Sequence, residues 1–197
     1  MKRLLIGTSL LLVGINTMAQ SEYFIGANVS NSNASIETSY EYTSSTTHAV
    51  GNGSKSDSDT NIHLKIGINK ANNRYYLQYG TLYDGYINNY SISYKTININ
   101  YDTLLEKTSN GLIPFIGLHI GQGTLELNNV ETDGTEWGFQ TGIINNINKN
   151  IQFETGLRYS IASANFSVTL IDGDTTQVYD VSADDAIELY VGFNYKF

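Results

Sequence analysis

The sequence predicts an all-β fold: an eight-stranded antiparallel up-and-down β-barrel that crosses a membrane. Three observations predict it. Apolar and polar residues alternate over eight segments, long and short connections alternate between those segments, and glycine gathers on one face of the alternation.

The first segment along the chain is an export signal. Lys2 and Arg3 precede an apolar stretch over residues 4–15, and the small residues Thr17 and Ala19 follow. This layout predicts a cleavable signal peptide over residues 1–19, cut after Ala19, and a mature barrel domain over residues 20–197. The apolar stretch is short for a spanning helix, which takes about 20 residues.

Composition narrows the class further. Formal charge is −8 for the chain and −10 once Lys2 and Arg3 are removed. That balance argues against nucleic acid as a partner, which selects clustered Lys and Arg. There is no cysteine, so a cysteine-linked lipid anchor, disulfides and thiolate zinc sites are excluded. Tyrosine occurs 15 times and proline once, as expected of strands that meet a membrane interface. No apolar run after the signal is long enough for a helical span, so a membrane form must be a closed barrel.

The predicted strands cover residues 23–30, 61–69, 74–83, 92–105, 113–127, 136–144, 151–160 and 186–197. Short connections at 70–73, 106–112 and 145–150 are rich in Asn, Gly, Lys and Ser. Long ones at 31–60, 84–91, 128–135 and 161–185 alternate with them. All long loops therefore fall at one end and all short turns at the other, together with both termini. Tyr42 and the stretch 168–170 suggest that the long loops continue the wall as hairpins.

Each strand splits into two faces. The second sets Ile62, Leu64, Ile66 and Ile68 against His63, Lys65, Gly67 and Asn69. Glycine decides which face is inside. Gly67, Gly80, Gly117, Gly138, Gly156 and Gly192 all share the polar face, where a soluble exterior has no use for them. A narrow barrel interior does, because bulky side chains need small ones opposite. The polar face is thus expected inside and the Ile/Leu/Tyr/Phe face against lipid.

The chain closes with Leu189-Tyr190-Val191-Gly192-Phe193-Asn194-Tyr195-Lys196-Phe197. With the signal peptide and the loop plan, this run resembles the OmpA/OmpX-type family of small outer-membrane barrels. The resemblance implies the outer membrane as location, long external loops and short periplasmic turns. It also implies the outer-membrane bilayer and assembly machinery as partners, the latter reading Leu189, Val191, Phe193, Tyr195 and Phe197.

The lumenal register collects His63, Lys65, Arg74, His119, Glu136, Glu154, Arg158 and Glu188. Buried charges are costly unless paired, so these form a structural polar network filling the interior. The alternative is a narrow pore for ions or small solutes. An enzyme is the weaker reading. Some barrels of this resemblance modify lipid A, and deacylases among them use His, Ser and Glu. Yet His119-Ile120-Gly121 has no Ser two residues on, His48 and His63 have none in strand register, and a polar lumen offers no apolar pocket for an acyl chain. No catalytic, cofactor or metal residue is expected. Asp172-Gly173-Asp174 could begin a calcium loop but reads better as a hairpin turn. The expected function is a non-enzymatic surface barrel whose loops serve adhesion or recognition of an extracellular ligand.

Overall fold

The computed structural model describes residues 21–44, 46–87, 90–127, 130–172 and 174–197; the expected signal segment lies outside the described residues. Nine strands form one sheet: β1 (Ser21–Thr43), β2 (His48–Lys70), β3 (Asn73–Ile87), β4 (Tyr90–Leu104), β5 (Leu112–Leu127), β6 (Val130–Asn146), β7 (Ile151–Ala162), β8 (Asn165–Asp172) and β9 (Thr175–Lys196). Consecutive strands pair antiparallel from β1 to β7, β7 pairs with β9, and β9 returns to β1, so a ring of eight closes. The ninth strand is not a further wall. β8 resumes the line of β7 after a break at Ser163 and Ala164, pairing with the same strand, β9, further along.

The chief difference from the sequence-based expectation lies in the long connections. Residues 31–43, 48–60, 165–172 and 175–185 are not loops but paired strand, with β1 registered on β2 from Ser21↔Lys70 to Thr43↔His48, and of the other two long connections residues 84–87, 90–91 and 130–135 are strand as well. Ser, Thr, Asn and Gly blur the alternation there because above the membrane both faces meet water or small side chains, and the period-2 signal fades. The turn expected at Asp172-Gly173-Asp174 includes Gly173, outside the described residues; its flanks pair as Asp172↔Thr175.

The ring holds only over its lower part. β2 leaves β3 after His63↔Gly80, and β6 leaves β7 after Glu136↔Ala162. Beyond these points the wall divides into two sheets, a tall one of β2, β1, β9 and β8 and a shorter one of β3 to β6. Two irregularities sit at the division. Register shifts between Thr81 and Tyr83 turn both Leu82 and Tyr83 inward, and β9 carries an extra residue opposite β1 between Ala34 and Ile36. The two sheets face each other over a shared apolar core of Ala34, Ile36, Leu82, Ile92, Leu125 and Val181, with others packed around them.

Outward faces of the ring carry a belt. Ile25 and Val29 on β1, Ile62 to Ile66 on β2, Ile97 and Ile99 on β4 and Ile116 to Ile120 on β5 are about half exposed or more. On β9 the belt runs from Ile187 to Phe197, the ~9–11 residues a tilted strand needs to cross a bilayer. Tyr75 and Tyr101 pair at 5.2 Å, Phe153 and Phe193 at 5.3 Å, and Tyr23 stacks on Phe197 at 6.1 Å, all near the turn end. Trp137, Phe139 and Tyr159 mark the opposite rim, the last two at 5.4 Å. Aromatic residues bracketing an apolar band are the signature of a barrel in lipid.

Candidate functional site

The lumen gathers many buried charged side chains, and period 2 explains how. Alternate residues of every ring strand point inward, so each strand contributes a column, and the columns meet at a height set by register. All eight residues expected in the lumen are buried there, none more than 4% exposed.

They fall into two groups. Towards the turn end, Glu154 receives Lys65, Arg74 Nη1 at 2.5 Å and Asn194 Nδ2 at 2.8 Å. Arg74 also gives Nε to Asp102 at 2.8 Å, and Gln140 bridges Asp102 at 2.5 Å to the Tyr76 hydroxyl at 2.6 Å. The guanidinium carbon of Arg74 lies 4.9 Å from the ring centre of Phe115, 5.0 Å from Tyr76 and 5.9 Å from Phe24. Two cations, two carboxylates and amide donors thus meet in the buried lumen, and pairing is the condition under which buried charge is tolerated.

The second group lies nearer the hairpins. His63 Nε2 sits 2.9 Å from Glu188 and 3.2 Å from Ser30 Oγ. His119 Nε2 sits 3.1 Å from Ser160 Oγ, which donates to Glu136 at 3.1 Å. Arg158 bonds Asn100 at 2.8 Å and stands 4.0 Å from Glu188.

Here one expectation needs correction. The sequence shows no serine beside either histidine, yet the fold supplies Ser30 and Ser160 from other strands, because lumenal neighbours lie across the sheet rather than along it. The result is not a catalytic triad. A relay needs the acid on Nδ1 and the nucleophile on Nε2, whereas here serine and carboxylate share Nε2, and Nδ1 of both rings has no partner. The second correction concerns polarity. The interior is not polar throughout: Phe115, Ile144 and Tyr190 close it near the turn end, and the sandwich core closes it above.

Three further lumenal residues, Asp102, Asn98 and Gln140, belong to the network and were not singled out from sequence. Parity could have found them: Asp102 and Asn98 alternate with Ile97, Ile99 and Tyr101. Glycines make the room. A side chain at Gly67 would meet Tyr76 and Phe24, at Gly138 His119, at Gly156 Tyr190 and at Gly192 Asn28. Among the described residues no cluster of three or more His, Asp or Glu is arranged to hold a metal ion. The C-terminal residues Leu189, Val191, Phe193, Tyr195 and Phe197 all lie on the lipid face, 45–65% exposed, and the Phe197 amide donates to Tyr23 at 3.0 Å.

A closed ring with charged residues inside and a bracketed apolar belt outside defines a transmembrane β-barrel, and its fold is that of the small outer-membrane barrels. Neisserial surface protein A superposes with a TM-score of 0.60 at 15% identity, over 89% of this chain and 97% of that one. The outer-membrane protein OprG of Pseudomonas aeruginosa gives 0.58 at 16% identity, over 90% and 96%. No protein-family model and no curated protein sequence matches the chain.

Proposed function

We propose that the protein is a non-catalytic outer-membrane barrel, exported by the segment 1–19, that presents its tall sheet outside the cell for adhesion or recognition. The observation that carries this reading is the division of labour along the barrel axis. The ring holds a buried ion-pair network between two apolar layers, whereas β1, β2 and β9 extend 22 or 23 residues, far more than a bilayer requires. Long hairpins at one end of such barrels are external and short turns periplasmic. The shared fold of Neisserial surface protein A and OprG supports the outer membrane as the setting.

The test replaces residues 38–58 with a short Gly/Ser turn and compares both proteins on an array of matrix proteins, glycans and peptides. Loss of binding is the expected result; an array that neither protein binds reduces the role to a structural one. In intact cells, protease should cut at the 44–47 tip and spare the 105–111 turn, and the reverse pattern would invert the orientation. Planar-bilayer recording separates this reading from a narrow pore, with discrete conductance as the outcome that favours the pore.

The final strand is assigned the assembly signal, since it presents apolar residues to lipid while pairing with β1. Deleting Phe197 should lower the fraction inserted into the outer membrane, measured by fractionation and folded-form gel mobility. Normal insertion would remove that assignment.

A further inference from the structure

Three lipid-facing columns of the wall run down into the three short turns, and each ends in a lysine. On β2 the outward residues Ile62, Leu64, Ile66 and Ile68 lead in steps of two to Lys70. On β4 Ile97, Ile99 and Tyr101 lead through Leu105 to Lys107, and on β6 Phe139 and Ile143 lead through Ile147 to Lys149. All three lysines are exposed. Leu105 and Ile147 are exposed too, so two turns repeat one pattern, an apolar residue with a lysine two positions on. The aromatic pairs Tyr75–Tyr101, Phe153–Phe193 and Tyr23–Phe197 stand at the same end. Such rings mark the level of the lipid headgroups. A lysine there lays its stem along apolar surface and lifts its ammonium to phosphate and water.

On its lipid side this rim carries side chains of one sign. Of the acidic side chains at the turn end, Glu22 bonds Lys196 at 3.0 Å, Glu106 stands off the outward column, and Asp102 and Glu154 are buried in the lumen. At the hairpin end the outward positions carry Glu37, Glu126, Glu131, Asp133 and Asp180 instead, and Lys95 there is paired with Glu126. Charge therefore runs from acidic at the hairpins to basic at the turns. A basic rim level with the headgroups, and continuous with a belt that already meets lipid, has the adjoining leaflet as its neighbour, and a lysine near an anionic leaflet is attracted to it.

We propose that the turn-end rim is a binding surface for anionic phospholipid, with Lys70, Lys107 and Lys149 each holding a headgroup phosphate while Leu105 and Ile147 seat their turns against the acyl chains. The rim then selects a lipid such as phosphatidylglycerol, whose phosphate charge no headgroup amine cancels, over a zwitterionic one. Charge is the requirement, so arginine serves in place of each lysine and glutamine does not. The site lies at the opposite end of the barrel from the hairpins and adds to their recognition role.

The experiment refolds the full barrel into phosphatidylcholine vesicles that contain either brominated phosphatidylglycerol or brominated phosphatidylcholine, and tryptophan quenching reports which lipid lies beside the reporter. Trp137, on the hairpin rim, reads one leaflet. The variants Y75W/W137F, L105W/W137F and I151W/W137F move the reporter to the turn end, beside Lys70, Lys107 and Lys149 respectively. At these three positions phosphatidylglycerol should be favoured about fivefold, and added salt should weaken the preference. K70Q, K107Q and K149Q, each in the background of its own reporter, should bring the two lipids level, whereas K70R, K107R and K149R should keep the preference. Trp137 should show none. Folded-form gel mobility verifies each variant. A preference that survives the glutamine variants, one of equal size at Trp137, or equal quenching by both lipids at the turn end would overturn the proposal. Since the hairpins take no part, such a failure would leave the recognition reading standing.

Discussion

Arg74 is wholly buried, yet it meets two carboxylates and three aromatic rings. Such a site is tolerable only as a set. Replacing Glu154 by Gln leaves Lys65 and Arg74 facing one remaining carboxylate, and breaking a buried pair from one side costs ~3–5 kcal/mol. The expected outcome is a lower guanidinium midpoint in detergent, followed by the single tryptophan, Trp137, which lies on the lipid face. An unchanged midpoint would mean that water already reaches the pair. Membership of this network was readable from the sequence for His63, Lys65 and Glu154, because parity alone assigns a side chain to the lumen. Partnership was not. Lys65 and Glu154 are on strands β2 and β7, and which columns meet across the lumen depends on strand stagger, a property of closure rather than of any one strand. The same reason hid Ser30 and Ser160.

Outside the belt, ion pairs behave differently. The Lys95 ammonium bonds Glu126 at 2.9 Å across β4 and β5. That hydrogen bond and charge hold Glu126 below the ordinary glutamate range and raise Lys95 above the ordinary lysine range. The signs follow. Glu126 contributes above its unfolded pKa and loses that contribution as pH falls through the lowered one. Lys95 contributes below its unfolded pKa and loses it as pH rises through the raised one. The pair therefore persists across neutral pH. Carboxyl NMR titration of a Lys95→Met variant should show the Glu126 midpoint moving up, and a fixed midpoint would deny the contact.

At the scale of the strand, exposure has two meanings. Leu118 and Val50 are 63% and 62% exposed, but one lies mid-belt on β5 and the other on the upper part of β2, beyond its pairing with β3. Leu118→Arg should cost ~2–4 kcal/mol, the depth-dependent penalty of charge facing lipid. Val50→Arg should change stability by less than about 0.5 kcal/mol. Equal effects would mean that the belt is not in a bilayer. The belt strands were visible in the sequence because one face is apolar without interruption. The outer halves of β1, β2 and β9 were not, since Ser, Thr, Asn and Gly there carry no period that distinguishes strand from loop. Only Tyr42 and the 168–170 stretch hinted at them.

At the scale of the molecule, the ring leaves no open edge within the belt, and this should make the barrel slow to unfold in detergent. Unboiled protein is expected to migrate apart from boiled protein on a denaturing gel, and coincident bands would argue against closure. Above the belt the wall does have edges, where β2 parts from β3 and β6 from β7. The eight-strand ring could be inferred from alternating connection lengths. The change from barrel to sandwich could not, because it depends on where cross-strand pairing stops.

A long seam joins the first strand of the sheet to the last, from Phe24↔Lys196 up to Thr43↔Thr176. Contacts between chain ends are made late, after the intervening loop-closure entropy has been met. The surface of the upper hairpins is built on that same seam: Tyr40 of the first strand stands opposite Tyr179 of the last. A chain arrested with seven strands in place holds half of the surface and displays none of it. The tyrosine pair is accordingly a certificate of completion, presented only by molecules that have finished folding.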